Sequence, residues 1–145
     1  MLRDEVDRRI VALLADNARL PYPAIGERVG LSAPAVKRRI DRLLADGTIA
    51  AFTVAVDPAA LGATTEAFVH VFCRGRTSPA QLRDLAAGHP NVVAAYTVTG
   101  GADALFHLRC ADTRELERTL EHIRASDEVE RTDSAIVLSR LVSRG

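Results

Sequence analysis

Three observations predict an α+β chain in two parts. Residues 1–50 place their apolar side chains mainly at helical spacing. A turn at Asp57-Pro58 and Gly62 then interrupts the pattern. Beyond it, stretches that alternate every second residue are interleaved with stretches of helical period. The predicted divisions are a helical head at 1–50, a linking strand and turn at 51–62, and a sheet-bearing domain at 63–145.

Val6, Ile10, Leu13 and Leu14 give the first helix a buried stripe, with Asp4 or a neighbour as its cap. Residues 17–21 connect it to a second helix that starts near Tyr22 or Pro23. Ala24, Ile25 and Val29 form a shorter apolar face, and Gly30-Leu31 turns the chain. A third helix follows over 32–44. Ser32 is suited to cap it, accepting a first-turn N–H through its hydroxyl, and Pro34 is tolerated where the amide has no intrahelical partner. Val36, Ile40, Leu43 and Leu44 make its buried stripe, and Gly47 ends it.

At about 100° per residue, Arg38 points away from that stripe. Pro34, Ala35 and Arg42 lie near Arg38, with Lys37 and Arg39 on the flanks. A charged helix face is commonly only a solvated one. The preceding turn favours another reading, because helix, Gly-containing turn and cationic helix make a helix-turn-helix, whose second helix enters the DNA major groove. The residues placed at that surface are Ser32, Pro34, Ala35, Lys37, Arg38, Arg39 and Arg42. An exposed Arg there can bond a guanine edge, and flanking cations can neutralise phosphates. Residues 48–56 have β-branched residues in alternation and read as a wing or as a strand leaving the head.

In the second part, residues 65–74 read as a strand. Ser78, Pro79 and Gln81 are a well-formed helix start, and the helix runs to Gly88. Residues 92–99 and 103–110 are strands joined by a Gly100-Gly101 turn. Asp112 and Glu115 begin a second helix, lined by Leu116, Leu120 and Ile123, and 129–142 supply a last strand. The order βαββαβ is the ferredoxin-like arrangement, with two helices on one sheet face. Phe68, Phe72, Ala104, Phe106 and Leu108 cannot all lie under those helices. Strands apolar on both sides are buried on both sides, so a second copy of the chain is the expected cover, bringing two heads together.

Composition narrows the function classes. Formal net charge is zero over 145 residues, yet residues 1–50 hold nine Lys or Arg against seven Asp or Glu. Residues 51–145 hold ten against twelve. A modest basic patch suits a dimer whose heads share the phosphate contacts. The start of the chain is charged from its third residue and reads as no secretory signal. The longest uncharged stretch, 85–102, carries Pro90, Asn91 and three glycines and reads as no membrane span. A cytoplasmic protein with free thiols is expected, and Cys73 and Cys110 fit no metal spacing. On adjacent strands the two thiols could approach each other. No nucleophile arrangement, phosphate loop or dinucleotide signature is present, so no catalytic residue, metal or cofactor is predicted. His70 and His107 fall on predicted neighbouring strands. They read either as hydrogen-bonded histidines in a buried interface or as a metal, haem or pH-sensing pair.

Taken together, 7–19, 25–49, 56–62 (VDPAALG) and 99–105 (TGGADAL) resemble the Lrp/AsnC, or feast/famine, family of transcriptional regulators. The resemblance spans essentially the full length. It implies a winged helix-turn-helix that binds double-stranded operator DNA, a ligand-sensing ferredoxin-like domain, and dimers that assemble to tetramers or octamers. It also implies a small-molecule effector, commonly an amino acid, at Thr99, Gly100, Gly101 and Asp103. Backbone amides beside glycines can bind a carboxylate, and Asp103 can accept from an α-ammonium. From the residues alone, the loop reads first as a tight turn with Asp103 as its solvated cap, and the resemblance brings the effector reading level with it. The sequence departs from the family pattern at Pro21-Tyr22-Pro23, at Leu44, and at Ala102 and Ala104, where larger residues are common. Sirohaem decarboxylases share the architecture and are the alternative reading; the cationic helix 37–42 favours DNA.

Overall fold

The computed structural model describes residues 4–142, and the chain divides between Ala55 and Val56 into two compact units. The first unit is three helices: α1 (Glu5–Asp16), α2 (Tyr22–Val29) and α3 (Ala33–Ala45). Asp4 caps α1 by accepting from the Asp7 N–H at 2.8 Å. α2 starts without a side-chain cap, because Pro21 stands at that position; the Pro21 carbonyl instead accepts from the Ile25 N–H. Gly30, at φ 72°, ends α2 in the left-handed conformation that glycine adopts at no steric cost. Ile10, Leu14, Ile25, Val36 and Ile40 form the core, flanked by Val6, Leu13, Leu20, Val29, Leu31 and Ile49.

Three expectations for this unit are corrected. Ser32 precedes α3, but its hydroxyl caps nothing. Leu43 is fully buried whereas Leu44 is 37% exposed, so the stripe ends at Leu43. Residues 50–57 form no strand and no wing among the described residues. Alternation makes a strand only where a neighbouring backbone completes the ladder. Here Phe52, Val54 and Val56 are left exposed.

The second unit opens with a 3₁₀ turn, Pro58–Leu61, capped by the Asp57 carboxylate. Then follow β1 (Thr65–Cys73), α4 (Pro79–Ala87), β2 (Val92–Thr97), β3 (Ala104–Cys110), α5 (Thr113–Arg124) and β4 (Val129–Ile136). The sheet has order β2-β3-β1-β4 with antiparallel pairs throughout, the ferredoxin-like topology. Both helix starts behave as their sequences predict. Ser78 and Gln81 close a reciprocal capping box, and the Asp112 side chain accepts from the Glu115 N–H. Ala67, Val69, Val71 and Cys73 of β1 join Ala104, Phe106, Leu108 and Cys110 of β3 in the core, with Leu82, Leu116 and Ile123 from the helices.

Ala104, Phe106 and Leu108 therefore lie in that core, while Phe68 and Phe72 point to the other face. Strand pairing places Phe68 opposite His107 and His70 opposite Leu105 on that bare face. β4 stops six residues short of the predicted end at Val142. The Val137 N–H still reaches the Glu66 carbonyl, but β1 begins at Thr65 and offers no further ladder. Cys110 pairs with Thr65 at one end of β1 and Cys73 lies at the other, so the two thiols do not approach each other. Both thiols are held above their ordinary pKa, chiefly by burial.

Candidate nucleic-acid interface and ligand pocket

The cations of α3 divide sharply by partner. Lys37 Nζ lies 2.5 Å from the Asp41 carboxylate, one turn on. Arg39 Nη1 donates to both oxygens of Asp4, at 3.0 and 2.7 Å, and to Asp7 at 2.8 Å. Arg42 Nη2 lies 2.5 Å from the other Asp7 oxygen. Asp7 has no exposed surface, while Arg39 and Arg42 are 26% and 32% exposed. The sequence-predicted surface thus carries two arginines that tie α3 to the start of α1. Arg38 is exposed and has no hydrogen-bond or ion-pair partner among the described residues. Ser32 and Pro34 are exposed at the first turn, and Ala35 is half-buried. Sequence reasoning missed Asp7, because nothing in its periodicity separates a buried acid from a solvated one.

The loop between β2 and β3 carries the second candidate site. Gly100 sits at φ 114°, a conformation that favours glycine. No protein acceptor meets the N–H groups of Thr99, Gly100, Gly101 or Ala102 among the described residues. A cavity of about 650 Å³ is lined by His70, Thr97, Val98, Thr99, Gly101 and Ala102. Of the predicted set, Thr99 and Gly101 line it; Gly100 and Asp103 do not. Asp103 fastens the loop to β1 instead: its N–H donates to the Val71 carbonyl at 3.0 Å, and its carboxylate accepts from the Cys73 N–H at 2.7 Å. His70 was missed as a lining residue, although strand alternation already places it on the bare face.

That face holds one polar cluster. Glu66 bonds His107 Nε2 at 2.6 Å and Arg140 at 3.0 Å, with Arg109 Nε at 3.6 Å. Burial pushes the Glu66 carboxyl upward, but the bonds from His107 and Arg140 outweigh it and hold the group below its ordinary pKa. His107 stacks on Phe68 with ring centroids 4.6 Å apart, and the Arg131 guanidinium covers Phe72. His107 is thus committed to Glu66 and Phe68, and His70 to the loop cavity. No group of three or more His, Cys, Asp or Glu able to hold a metal occurs among the described residues.

Residues 4–44 match the AsnC-type helix-turn-helix domain, and residues 66–145 match the Lrp/AsnC ligand binding domain. The chain belongs to the Lrp/AsnC family. This Lrp/AsnC regulator is 52% identical over 141 residues to the HTH-type transcriptional regulator Rv2324 of Mycobacterium tuberculosis, covering 97% of this chain and 95% of that one. It is 31% identical to the regulator AldR of Mycolicibacterium smegmatis, over 95% and 82% of the two chains. Its fold is similar to the feast or famine regulatory protein Rv3291c from M. tuberculosis, solved in complex with L-methionine. That match has a TM-score of 0.87 at 31% identity and covers 97% and 95% of the chains. The regulator's two candidate sites fall one in each matched domain.

Proposed function

We propose that this Lrp/AsnC regulator binds double-stranded operator DNA in the cytoplasm through α3, as a binding protein and not a catalyst. The observation that carries the reading is Arg38: it is the one cation of the helix face left without an ion pair among the described residues. It is therefore the side chain free to make a bidentate contact with a base edge. Ser32, Pro34 and Ala35 lie at the N-terminal turn of α3, the end that contacts bases in helix-turn-helix proteins. Lys37, Arg39 and Arg42 are each already paired with a carboxylate, which competes with phosphate for them. The expected result for Arg38→Ala is a loss of operator discrimination of about 1–3 kcal/mol per head, with assembly mass unchanged. The operator would be selected from a random duplex pool and binding read at fixed salt. Unchanged discrimination would overturn the assignment.

The bare sheet face supports a homodimer. Phe68 is 37% exposed on that face, with Phe72 and Leu105 partly exposed beside it, and the same face of a second copy is their simplest cover. Further assembly to a tetramer or octamer follows the family. The loop cavity supports a small-molecule effector: Thr99 and Gly101 line it, their amides meet no protein acceptor among the described residues, and His70 lies beside them, a donor set suited to a carboxylate. An amino acid fits that chemistry, and the L-methionine complex of a 31% identical relative makes methionine the first to try. An effector switches the protein only by binding one assembly state better than another. Light scattering with each proteinogenic amino acid is expected to show a mass shift with at least one. Gly101→Val should abolish that shift while leaving DNA binding intact, because a branched side chain would replace the bare backbone that Gly101 contributes to the cavity wall. A shift that survives the substitution places the effector elsewhere.

A further inference from the structure

We propose that Asp4 restrains DNA binding: its carboxylate neutralises Arg39 and competes with a DNA phosphate for that guanidinium. The proposal rests on reading α3 as the DNA-contacting helix. Arg39 follows Arg38 directly in that helix and donates through Nη1 to Asp4 at 2.7 and 3.0 Å. The pair lies at the surface, with Asp4 45% and Arg39 26% exposed. Exposed ion pairs contribute little to a fold, so this contact exchanges readily for another anion. Asp7 differs, because it is fully buried. The hydrogen bond from Arg39, and then that from the Asp7 N–H, hold the Asp4 carboxyl below its ordinary pKa, so it remains charged at neutral pH.

The consequence is electrostatic economy. Four cations on the helix face meet three carboxylates, Asp4, Asp7 and Asp41. Phosphate contacts supply sequence-independent affinity, while base contacts discriminate. By opposing Arg39 and leaving Arg38 free, Asp4 lowers the first term for random DNA and operator alike, and leaves the discrimination made by Arg38 unchanged.

Asp4→Asn removes the charge and keeps the cap, since Asn caps as well as Asp. The full chain would be titrated with a random-sequence duplex by fluorescence anisotropy across a salt series. The expected result is binding tighter by roughly three- to tenfold at low salt, with a log–log salt slope steeper by about 1 per head. Assembly mass and thermal transition should not move. Asp4→Ser, which also caps, guards against a fold defect peculiar to Asn. Slopes and affinities equal to wild type, or weaker binding, overturn the restraint. If neither wild type nor variant binds duplex at low salt, the reading of α3 fails and the restraint with it. If wild type binds and Arg38→Ala abolishes discrimination while Asp4→Asn changes nothing, only the restraint fails.

Discussion

Gly26→Ala is expected to destabilise the head by about 2–3 kcal/mol and to abolish specific DNA binding. An added Cβ would lie 2.3 Å from the Leu31 carbonyl oxygen, far inside van der Waals contact. The oxygen cannot retreat cheaply. The Leu31 N–H already donates to the Gly26 carbonyl at 3.0 Å, so both sides of the turn are pinned to the same residue. Alanine favours helix over glycine by about 1 kcal/mol, which offsets part of the clash but not most of it. The remainder must be relieved by moving α3 away from α2, which re-aims Arg38. Gly30→Ala provides the contrast. Its Cβ meets nothing within 4 Å, but φ is 72°, so the cost is conformational and about 1–2 kcal/mol. Thermal melts followed by far-ultraviolet dichroism would rank the two. A Gly26→Ala variant as stable as wild type would mean that the turn yields and that the close approach is not required.

How much of this arrangement is legible in the sequence depends on how local its causes are. The capping box of Ser78 and Gln81 and the Asp112 cap are set within four residues, and both are found where the sequence puts them. The alternation of β1 sorts Val69 from Phe68 correctly for the same reason. The order of elements then leaves little freedom in the sheet. What the sequence conceals is set over long separations. Asp7 lies 32 residues from Arg39 and 35 from Arg42, so no periodicity links them. Asp103 looks like a solvated turn residue until β1 brings the Cys73 N–H to it, 30 residues away. The stretch at 48–56 has every local mark of a strand and lacks only a neighbour. Helical spacing treats Leu43 and Leu44 alike, but packing chooses between them.

Asp7→Ala should cost the head about 2–4 kcal/mol, a larger loss than any exposed charge on α3 would produce. The carboxylate is fully buried and faces two guanidinium groups, one on each oxygen. Removing it strips the charge partner from Arg42, whose Nε is already buried without a hydrogen-bond partner. Burying a cation that has lost its partner is the expensive half of the change. Both arginines retain some exposure, so they can swing toward water, which keeps the loss below that of a fully enclosed pair. Asp7→Asn separates charge from shape: it can still accept from one arginine, and an intermediate loss is expected. The two acids at the start of α1 thus divide the work by depth. Loss of Asp7 should lower the head's melting temperature and weaken operator binding together, because the same contact positions α3. Loss of the Asp4 charge should strengthen binding to random duplex with the melt unchanged. If Asp7→Ala instead tightened DNA binding at unchanged stability, both acids would be electrostatic restraints, and the structural role given to the buried one would be wrong.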